Sequence, residues 1–345
     1  MQALQLADWH QPAQLRDVAA PEPGPGQVVI RIGGAGACHS DLHLMDEFQP
    51  GQVPWQPPFT LGHENAGWVE SLGAGVTGIE IGQPVAVYGA WGCGHCHRCV
   101  QGIENYCDNA RTIASSGGGL GSDGGMARYM LVPSPRFLVP LDGLHPVDAA
   151  PLTDAALTPY HAIKRSLRLL VPGSTAVVIG AGGLGHMAIQ ILGALTPAQV
   201  IAVDRSADAL GLAHDLGAHT VQAGAEASRA IRELTKGRGV DVIIDLVGAT
   251  ETLALAQRVA RSMSHLTLVG IAGGTVPFGF ATQAYEVSMI NTYWGTIPEL
   301  MEVIALAEAG RIRAHVEKFT LANANEAYDR MRRGELRGRA VIVPD

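Results

Sequence analysis

The chain has 345 residues, which is enough for about two domains with a large buried core. A hydrophobic fraction of 47% and a charged fraction of 16% indicate a globular protein and exclude a disordered one. The formal net charge of −8 gives no basic footprint for nucleic acid, so we do not expect that class of partner.

The N-terminal residues lack the basic start and the apolar run of a signal peptide. The most apolar stretch, 176–195, is interrupted by glycines and a histidine, so it predicts a strand, a turn and a helix and not a membrane span. We therefore expect a cytoplasmic protein that does not bind membranes.

The chain changes pattern along its length. Short apolar runs between glycine- and proline-rich turns predict a β-rich domain over 1–153. Predicted strands then alternate with predicted helices, which indicates βαβ units on a parallel sheet over 154–290. The last part, 291–345, is expected to return to the first domain. In chain order, the predicted elements are strands at 28–32, 66–72, 84–88, 126–132, 176–179 and 200–204, a helix at 207–216, a helix at 227–235, a strand at 240–246, a helix at 251–262, a strand at 265–269, helices at 298–310 and 325–333, and a strand at 339–343.

A glycine-rich motif directly follows the predicted strand at 176–179. The sequence Gly180-Ala181-Gly182-Gly183-Leu184-Gly185 has the G-x-G-x-x-G form and leads into a helix. Gly180 permits a tight turn, Gly182 lets the backbone approach a pyrophosphate, and Gly185 allows the helix to pack closely on the strand. Because the helix start faces the phosphates, we predict a dinucleotide site that includes Gly183 and Leu184.

An acidic residue selects the dinucleotide. Asp204 ends the next predicted strand, and its carboxylate can accept hydrogen bonds from both hydroxyls of the adenosine ribose. The carboxylate would repel a 2′-phosphate, so NAD is predicted over NADP. The adjacent Arg205 could stack on adenine or hold a 2′-phosphate, but the intact carboxylate favours NAD.

Four of the five cysteines form a cluster, at Cys93, Cys96, Cys99 and Cys107. Cysteines two residues apart are poor disulfide partners and good chelate partners, and the chain has no secretion signal. Four thiolates saturate a tetrahedral zinc ion, so this lobe, about 92–108, is predicted to hold a structural zinc.

A second metal site is predicted around the fifth cysteine, Cys38. Catalytic zinc needs three protein ligands and an open coordination position. Cys38 and His63 could supply two ligands, and Asp154 could supply the third.

These residues together resemble the zinc-containing medium-chain alcohol dehydrogenases over essentially the whole chain. The family's motifs occur in its order: Cys38-His39-Ser40-Asp41-Leu42-His43, Gly62-His63-Glu64, the four cysteines, the glycine motif and Gly338-Arg339-Ala340-Val341-Ile342-Val343. The runs at 87–93 and 157–161 are most similar to bacterial NAD-dependent enzymes for secondary alcohols and ketones. The resemblance implies a doubly wound (Rossmann) cofactor domain, a GroES-like catalytic domain, NAD, two zinc ions per subunit and a homodimer or homotetramer.

The resemblance also implies a ligand set for the catalytic zinc: Cys38, His63 and Asp154. The best-known members use cysteine as the third ligand, whereas the similar bacterial enzymes use aspartate. Each carries one negative charge, so the exchange preserves the charge of the site. Glu64 is an alternative third ligand, and Asp41 matches the carboxylate that orients the zinc-bound histidine.

Other roles follow from the same resemblance. Ser40 and His43 would carry the substrate's proton away through a ribose hydroxyl, while zinc acts as a Lewis acid and the nicotinamide receives hydride. The remaining residues are assigned to the pyrophosphate (His39 and Arg339), the nicotinamide (Thr158, Leu184, Val269 and Ile271) and the substrate pocket (Trp55, Leu120, Tyr293 and Trp294).

The pocket residues are large and uncharged, which favours secondary alcohols, including bulky or aromatic ones, over polyols. A polyol or formaldehyde dehydrogenase of the same family is the main alternative. A zinc-free quinone or enoyl reductase predicts no metal ligands. A non-enzymatic nucleotide-binding protein predicts a lost catalytic site, whereas Cys38, Ser40, His43 and His63 are all present.

Overall fold

The computed structural model describes residues 1–113 and 115–344. Its strands are β1 (Gln2–Leu6), β2 (Gln14–Asp17), β3 (Val28–Gly36), β4 (Phe59–Thr60), β5 (Glu64–Leu72), β6 (Pro84–Val87), β7 (Gly117–Gly118), β8 (Gly121–Ser122), β9 (Tyr129–Val132), β10 (Leu138–Pro140), β11 (Thr175–Ile179), β12 (Gln199–Asp204), β13 (His219–Gln222), β14 (Val240–Asp245), β15 (Ala260–Leu268), β16 (Ser288–Asn291), β17 (Val316–Thr320) and β18 (Arg339–Val343). Its α-helices are α1 (His39–Asp46), α2 (His97–Val100), α3 (Pro146–Ala149), α4 (Leu157–Lys164), α5 (Gly185–Leu195), α6 (Ala207–Asp215), α7 (Ala227–Leu234), α8 (Thr250–Val259), α9 (Ile297–Glu308) and α10 (Ala324–Arg332).

The chain forms two compact units. Unit 1 contains Met1–Leu157, Trp294–Gly310 and the chain from Val316 onward. Unit 2 contains Thr158–Tyr293 and the short segment Arg311–His315. None of the helices in the described part of the chain is long and apolar enough to cross a membrane.

Unit 1 is built around a seven-stranded sheet in the order β10-β6-β5-β3-β18-β17, with β9 also paired to β3. The longest pairing joins β3 and β5 antiparallel, and it places Gly36 opposite Glu64. Strand β18 pairs with the same end of β3, where Val341 lies opposite Gly36. Three segments far apart in sequence therefore meet at the end of β3, just before Cys38.

Unit 2 is built around a six-stranded parallel sheet in the order β13-β12-β11-β14-β15-β16. Strand β11 lies at the centre, and all five of its residues are buried, as expected for a parallel strand covered on both faces. Its two neighbours, β12 and β14, lie on opposite sides. The order of the strands thus reverses at β11, and in such sheets ligands bind at the carboxyl ends of the strands beside the reversal.

The structure confirms the predicted fold class, with a β-rich part and a parallel α/β sheet. One predicted boundary is wrong: the helix predicted at 251–262 ends at Val259, and Ala260–Leu268 forms β15. Met263 within this strand has a positive φ of 66°, a local irregularity that no pattern in the sequence announces. None of the predicted elements corresponds to β13 or to the edge strand β16.

Candidate active site and metal centres

Cys38 lies where β3 passes into helix α1. It is the N-cap residue of α1, with extended backbone angles of φ −120° and ψ 155°. Its backbone N–H donates to the Asp41 carboxylate at 2.9 Å, the reciprocal half of a helix-capping arrangement. The cap fixes the thiol in the interior, where Cys38 is 5% exposed.

His63, Glu64 and Asp154 reach the same place from two other segments. Gly62 turns the chain into β5 with φ +96°, a conformation that glycine adopts without steric cost. A Cβ at Gly36 would overlap the Glu64 carboxylate, so glycine is needed there for the close approach of β3 and β5. Asp154 follows a 3₁₀ turn at Ala150–Thr153.

The donor atoms of these residues converge. The Asp154 Oδ2 atom lies 3.8 Å from His63 Nε2 and 3.9 Å from Cys38 Sγ. One ligand atom from each of Cys38, His63, Glu64 and Asp154 lies within 4.8 Å of the others, and all four residues are buried. Ligands at 2.0–2.3 Å from a tetrahedral zinc are about 3.3–3.8 Å apart, so the spacing fits a zinc ion.

Asp41 holds the ring of His63. Its Oδ1 atom is 3.3 Å from His63 Nδ1, and its Oδ2 atom accepts a 2.9 Å hydrogen bond from the Tyr328 hydroxyl. Burial tends to lower the pKa of His63, but the Asp41 charge, together with hydrogen bonds to Asp154, Asp41 and Cys38, raises the pKa well above its ordinary value. The surroundings of this imidazole therefore favour a positive charge, as they would favour a cation bound at Nε2.

Glu64 is engaged by Arg339. The guanidinium binds both carboxylate oxygens of Glu64 and lies 3.9 Å from Asp154 Oδ2. Burial tends to raise the pKa of Cys38, but the Arg339 charge and the hydrogen bond and charge of His63 outweigh it and lower the pKa of the thiol. Arg339 therefore favours the thiolate, the form of cysteine that binds metal. The expected contact of Arg339 with a pyrophosphate stays a prediction. The residue is only 3% exposed.

Trp294 packs directly on this cluster. Its ring centroid is 5.5 Å from that of His63 in an edge-to-face arrangement, and its Nε1–H donates to the Thr153 carbonyl at 2.8 Å. The side chain is buried, and a Cβ at Gly89 would overlap its ring. Trp294 thus contacts one predicted zinc ligand and holds the peptide that precedes another.

The other predicted pocket residues differ in exposure. Trp55 is buried, packs on Phe59 with a centroid distance of 5.3 Å, and donates to the Ser116 hydroxyl at 3.3 Å. Leu120 is half-buried, whereas Tyr293 is 44% exposed. These positions retain their pocket assignment as a prediction.

The two predicted proton carriers lie on helix α1. The Ser40 Oγ atom is 3.6 Å from Cys38 Sγ, beside the proposed zinc site. His43 lies one turn further along the helix, and its Nδ1 atom is 2.8 Å from the Glu47 carboxylate. Glu47 is largely exposed, so this pair leads from the site towards solvent.

The four-cysteine lobe has the geometry of a saturated metal site. The Sγ atoms of Cys93 and Cys99 are 3.9 Å apart and those of Cys96 and Cys107 are 4.0 Å apart, too far for disulfides. Four sulfurs at about 2.3 Å from a tetrahedral zinc are about 3.8 Å apart, which these distances match closely. Hydrogen bonds from the backbone N–H of His95 and other donors lower the pKa of Cys93 to about 6, so its thiolate is available at neutral pH.

The glycine motif forms the turn between β11 and α5. Gly180 has φ +91°, and a Cβ at Gly185 would overlap the Gly180 carbonyl, so both positions require glycine. Asp204 lies at the end of the neighbouring strand and accepts hydrogen bonds from Ala181 N–H at 2.6 Å and Ser206 N–H at 2.8 Å.

The predicted nicotinamide contacts differ in exposure: Thr158 is buried, Leu184 and Val269 are half-buried, and Ile271 is 56% exposed. His39 and Arg205, assigned to the pyrophosphate and the adenosine, are both exposed.

Sequence reasoning missed three contacts in these sites. The hydrogen bond from Tyr328 to Asp41, the pairing of Glu64 with Arg339, and the hydrogen bond from Trp294 to Thr153 each join residues more than 100 positions apart. No local spacing signals such contacts, because each depends on the tertiary fold of unit 1.

Comparison with known proteins agrees with this geometry. Residues 24–143 match the alcohol dehydrogenase GroES-like domain, and residues 183–309 match the zinc-binding dehydrogenase domain. The NAD-dependent alcohol dehydrogenase of Sulfurisphaera tokodaii is 37% identical, and the match covers 100% of both chains. The D-arabinose 1-dehydrogenase (NADP(+)) of Saccharolobus solfataricus is 35% identical, with 98% of this chain and 96% of that one covered.

A solved structure gives the same result. The alcohol dehydrogenase of the hyperthermophilic archaeon Aeropyrum pernix superposes with a TM-score of 0.92 and 37% sequence identity, and the match covers 100% of both chains. Fold and site together define a zinc-binding oxidoreductase with a dinucleotide domain. The chain belongs to the medium-chain, zinc-binding alcohol dehydrogenase family, as the sequence motifs predicted.

Proposed function

We propose that this protein is a zinc-dependent dehydrogenase that interconverts secondary alcohols and ketones with NAD⁺ and NADH. The observation that carries the proposal is the buried convergence of Cys38, His63 and Asp154 donor atoms. Three protein ligands leave one zinc position open, which is the arrangement of catalytic zinc and not of structural zinc.

Within this site we assign the third zinc ligand to Asp154 and not to Glu64, because Arg339 already binds both oxygens of Glu64. When bound, zinc supplies a Lewis acid that favours the deprotonated alcohol, and NAD⁺ supplies the hydride acceptor. The protein's part is to fix the ligands: Asp41 orients the ring of His63, and Trp294 packs against it.

We assign the proton path to helix α1. Ser40 would accept the proton of the substrate hydroxyl at the buried end, a ribose hydroxyl of the cofactor would carry it on, and His43 would pass it to solvent. The Glu47 carboxylate lies 2.8 Å from His43 Nδ1, on the solvent side of the helix.

We assign NAD binding to unit 2. The turn at 180–185 opens helix α5 at the reversal point of the parallel sheet, where dinucleotides bind in folds of this type. Asp204 would receive the adenosine ribose, and Thr158, Leu184, Val269 and Ile271 would contact the nicotinamide. His39 and Arg339 keep their assignment to the pyrophosphate, and Arg205 its place beside the adenosine.

The substrate class rests on the four residues that the family resemblance assigns to the pocket. Trp55, Leu120, Tyr293 and Trp294 offer apolar surface and no charged group, which suits two carbon substituents of unequal size. A sugar or polyol is the second candidate, because one relative is named a D-arabinose 1-dehydrogenase. Buried sugar hydroxyls would need polar partners that these four residues lack.

We also propose that the protein works as a homodimer or homotetramer in the cytoplasm. Three aromatic side chains near the edge strand β16 are strongly exposed, Phe278 at 73%, Phe280 at 87% and Tyr285 at 66%, which is unusual for a free surface. Free thiols that bind metal fit a reducing compartment. Light scattering that gives the mass of one chain would contradict the oligomer.

Zinc content tests the two metal sites. We expect two zinc ions per chain by elemental analysis. Cys38→Ser should remove one ion and abolish turnover while the fold persists. Cys99→Ser, the same chemical change in the other site, should remove the second ion and lower the thermal midpoint, because structural zinc contributes folding free energy. One zinc ion or none in carefully prepared protein would contradict the two-site proposal.

Cofactor preference tests Asp204. A 2′-phosphate about 4 Å from its carboxylate costs on the order of 1–4 kcal/mol. NADP should therefore have a kcat/KM about tenfold to several-hundredfold below that of NAD. Asp204→Asn should narrow the difference, whereas Asp208→Asn, a change at an exposed neighbour, should not. Equal kcat/KM for both cofactors in the unmodified protein would assign the selection to Arg205 instead.

The proton path predicts a pH effect. His43→Ala should slow alcohol oxidation mainly below about pH 8, where hydroxide is too scarce to replace the histidine, and added buffer base should partly restore the rate. The loss should be about 100-fold or less, because water can substitute. His214→Ala removes an exposed histidine of unit 2 and serves as the control. An unchanged pH–rate profile for His43→Ala would remove this residue from the mechanism.

A substrate panel tests the pocket. We expect kcat/KM to be higher for 2-butanol and 1-phenylethanol than for ethanol, sorbitol or D-arabinose, because only apolar surface is offered for burial. Leu120→Ala should shift the preference towards bulkier ketones. Trp294→Ala should enlarge the pocket in the same direction but should also lower kcat, since this side chain contacts His63. If ethanol, sorbitol or D-arabinose is the best substrate, the pocket assignment is wrong.

A further inference from the structure

A buried histidine lies immediately behind the glycine motif. His186 is the second residue of helix α5 and is 0% exposed. Its Nδ1 atom is 3.1 Å from the Gly182 carbonyl oxygen, and its Nε2 atom is 3.1 Å from the backbone nitrogen of His315. All three residues belong to unit 2.

These partners determine the protonation state of the ring. A carbonyl oxygen only accepts hydrogen bonds, so Nδ1 must carry a proton. The His315 backbone N–H only donates, so Nε2 must be unprotonated. His186 is therefore a neutral imidazole in which both nitrogens have a backbone partner.

Gln190 extends the same contact by one helical turn. Its side-chain amide donates to the Arg313 carbonyl at 2.9 Å, and its side-chain oxygen accepts from the Arg313 N–H at 2.9 Å. His186 and Gln190 thus bind alternate residues of the segment Arg311–His315. Only His186 also reaches back to the glycine motif.

The Gly182 carbonyl belongs to the peptide that precedes Gly183. Because a trans peptide is planar, fixing the C=O direction also fixes the Gly183 N–H, which points the opposite way. Two consecutive glycines leave this peptide unusually free to rotate. The carbonyl accepts from the backbone N–H of His186 at 3.0 Å as well as from its ring, so two bonds fix its direction.

We propose that His186 is a positioning residue for the dinucleotide: it orients the Gly182–Gly183 peptide so that the Gly183 N–H faces the pyrophosphate. This rests on the proposed binding of NAD at the turn. The ring connects the turn to a segment more than 120 residues further along the chain, which serves as its fixed support.

The test is the NADH dissociation constant of the full-length protein, measured by fluorescence titration or calorimetry. His186→Phe fills the space but removes both hydrogen bonds, and we expect it to raise Kd about tenfold, the effect of roughly 1.4 kcal/mol. KM for NAD⁺ should rise in parallel while kcat at saturating cofactor changes less than twofold. His186→Gln keeps a donor and an acceptor and should restore at least half of the loss on a logarithmic scale.

Gln190→Leu is the matched control, because it removes two bonds to the same segment and one to the His186 backbone carbonyl but none to Gly182 or to the His186 ring. It should lower the thermal midpoint and leave the NADH Kd within twofold. A Kd within twofold of the unmodified protein for folded His186→Phe would overturn the proposal. If that variant does not fold, His186→Asn, which is too short to reach both partners, is judged by the same threshold. If the unmodified protein fails to bind NADH, the proposed use of NAD is itself wrong, a result distinct from an unaffected variant.

Discussion

Buried charge is the constraint on which unit 1 depends. Asp41, Glu64 and Asp154 are each at most 9% exposed, and the Cys38 thiol lies among them. A buried ion costs several kcal/mol unless a counter-charge and hydrogen bonds compensate it. Arg339 binds both oxygens of Glu64 and lies 3.9 Å from Asp154 Oδ2, yet burial still holds the pKa of Glu64 well above its ordinary value. A divalent cation at that point would complete the balance of charge.

The two candidate metal sites differ in where their ligands come from. The four-cysteine lobe takes all its ligands from one short segment, so the backbone N–H groups of the loop can stabilise thiolates locally. The other centre takes ligands from residues 38, 63 and 154 and its counter-charge from residue 339. It can form only when β3, β5 and β18 are in register. All ligands of a saturated site can come from one loop. An open site needs ligands that the rest of the fold holds in place, so that one coordination position of the metal stays free.

This difference explains how much the sequence could predict. The cysteine spacing, the glycine motif and the alternation of strands and helices are local patterns, and they were sufficient for the fold class and the family. The contacts of Tyr328, Trp294 and Arg339 join segments of unit 1 that lie far apart in sequence, which no window of sequence contains. Residues 260–262 were predicted as the end of a helix, yet Ala260 pairs with Val240 of β14 and begins a strand. Tertiary pairing here outweighs local preference.

In the glycine turn of unit 2, the residue expected to select the cofactor also stabilises the conformation of the turn. Asp204 is the residue expected to hydrogen-bond the ribose. One of its oxygens already accepts the Ala181 N–H within the turn, and the other accepts the Ser206 N–H. The Asp204 carboxylate therefore holds the turn through the Ala181 N–H, and His186 holds it through the Gly182 carbonyl. A glycine-rich loop has little conformational preference of its own, so contacts with neighbouring side chains must fix its conformation. Any exchange of Asp204 changes both the charge presented to the cofactor and the support of the loop that binds its phosphates.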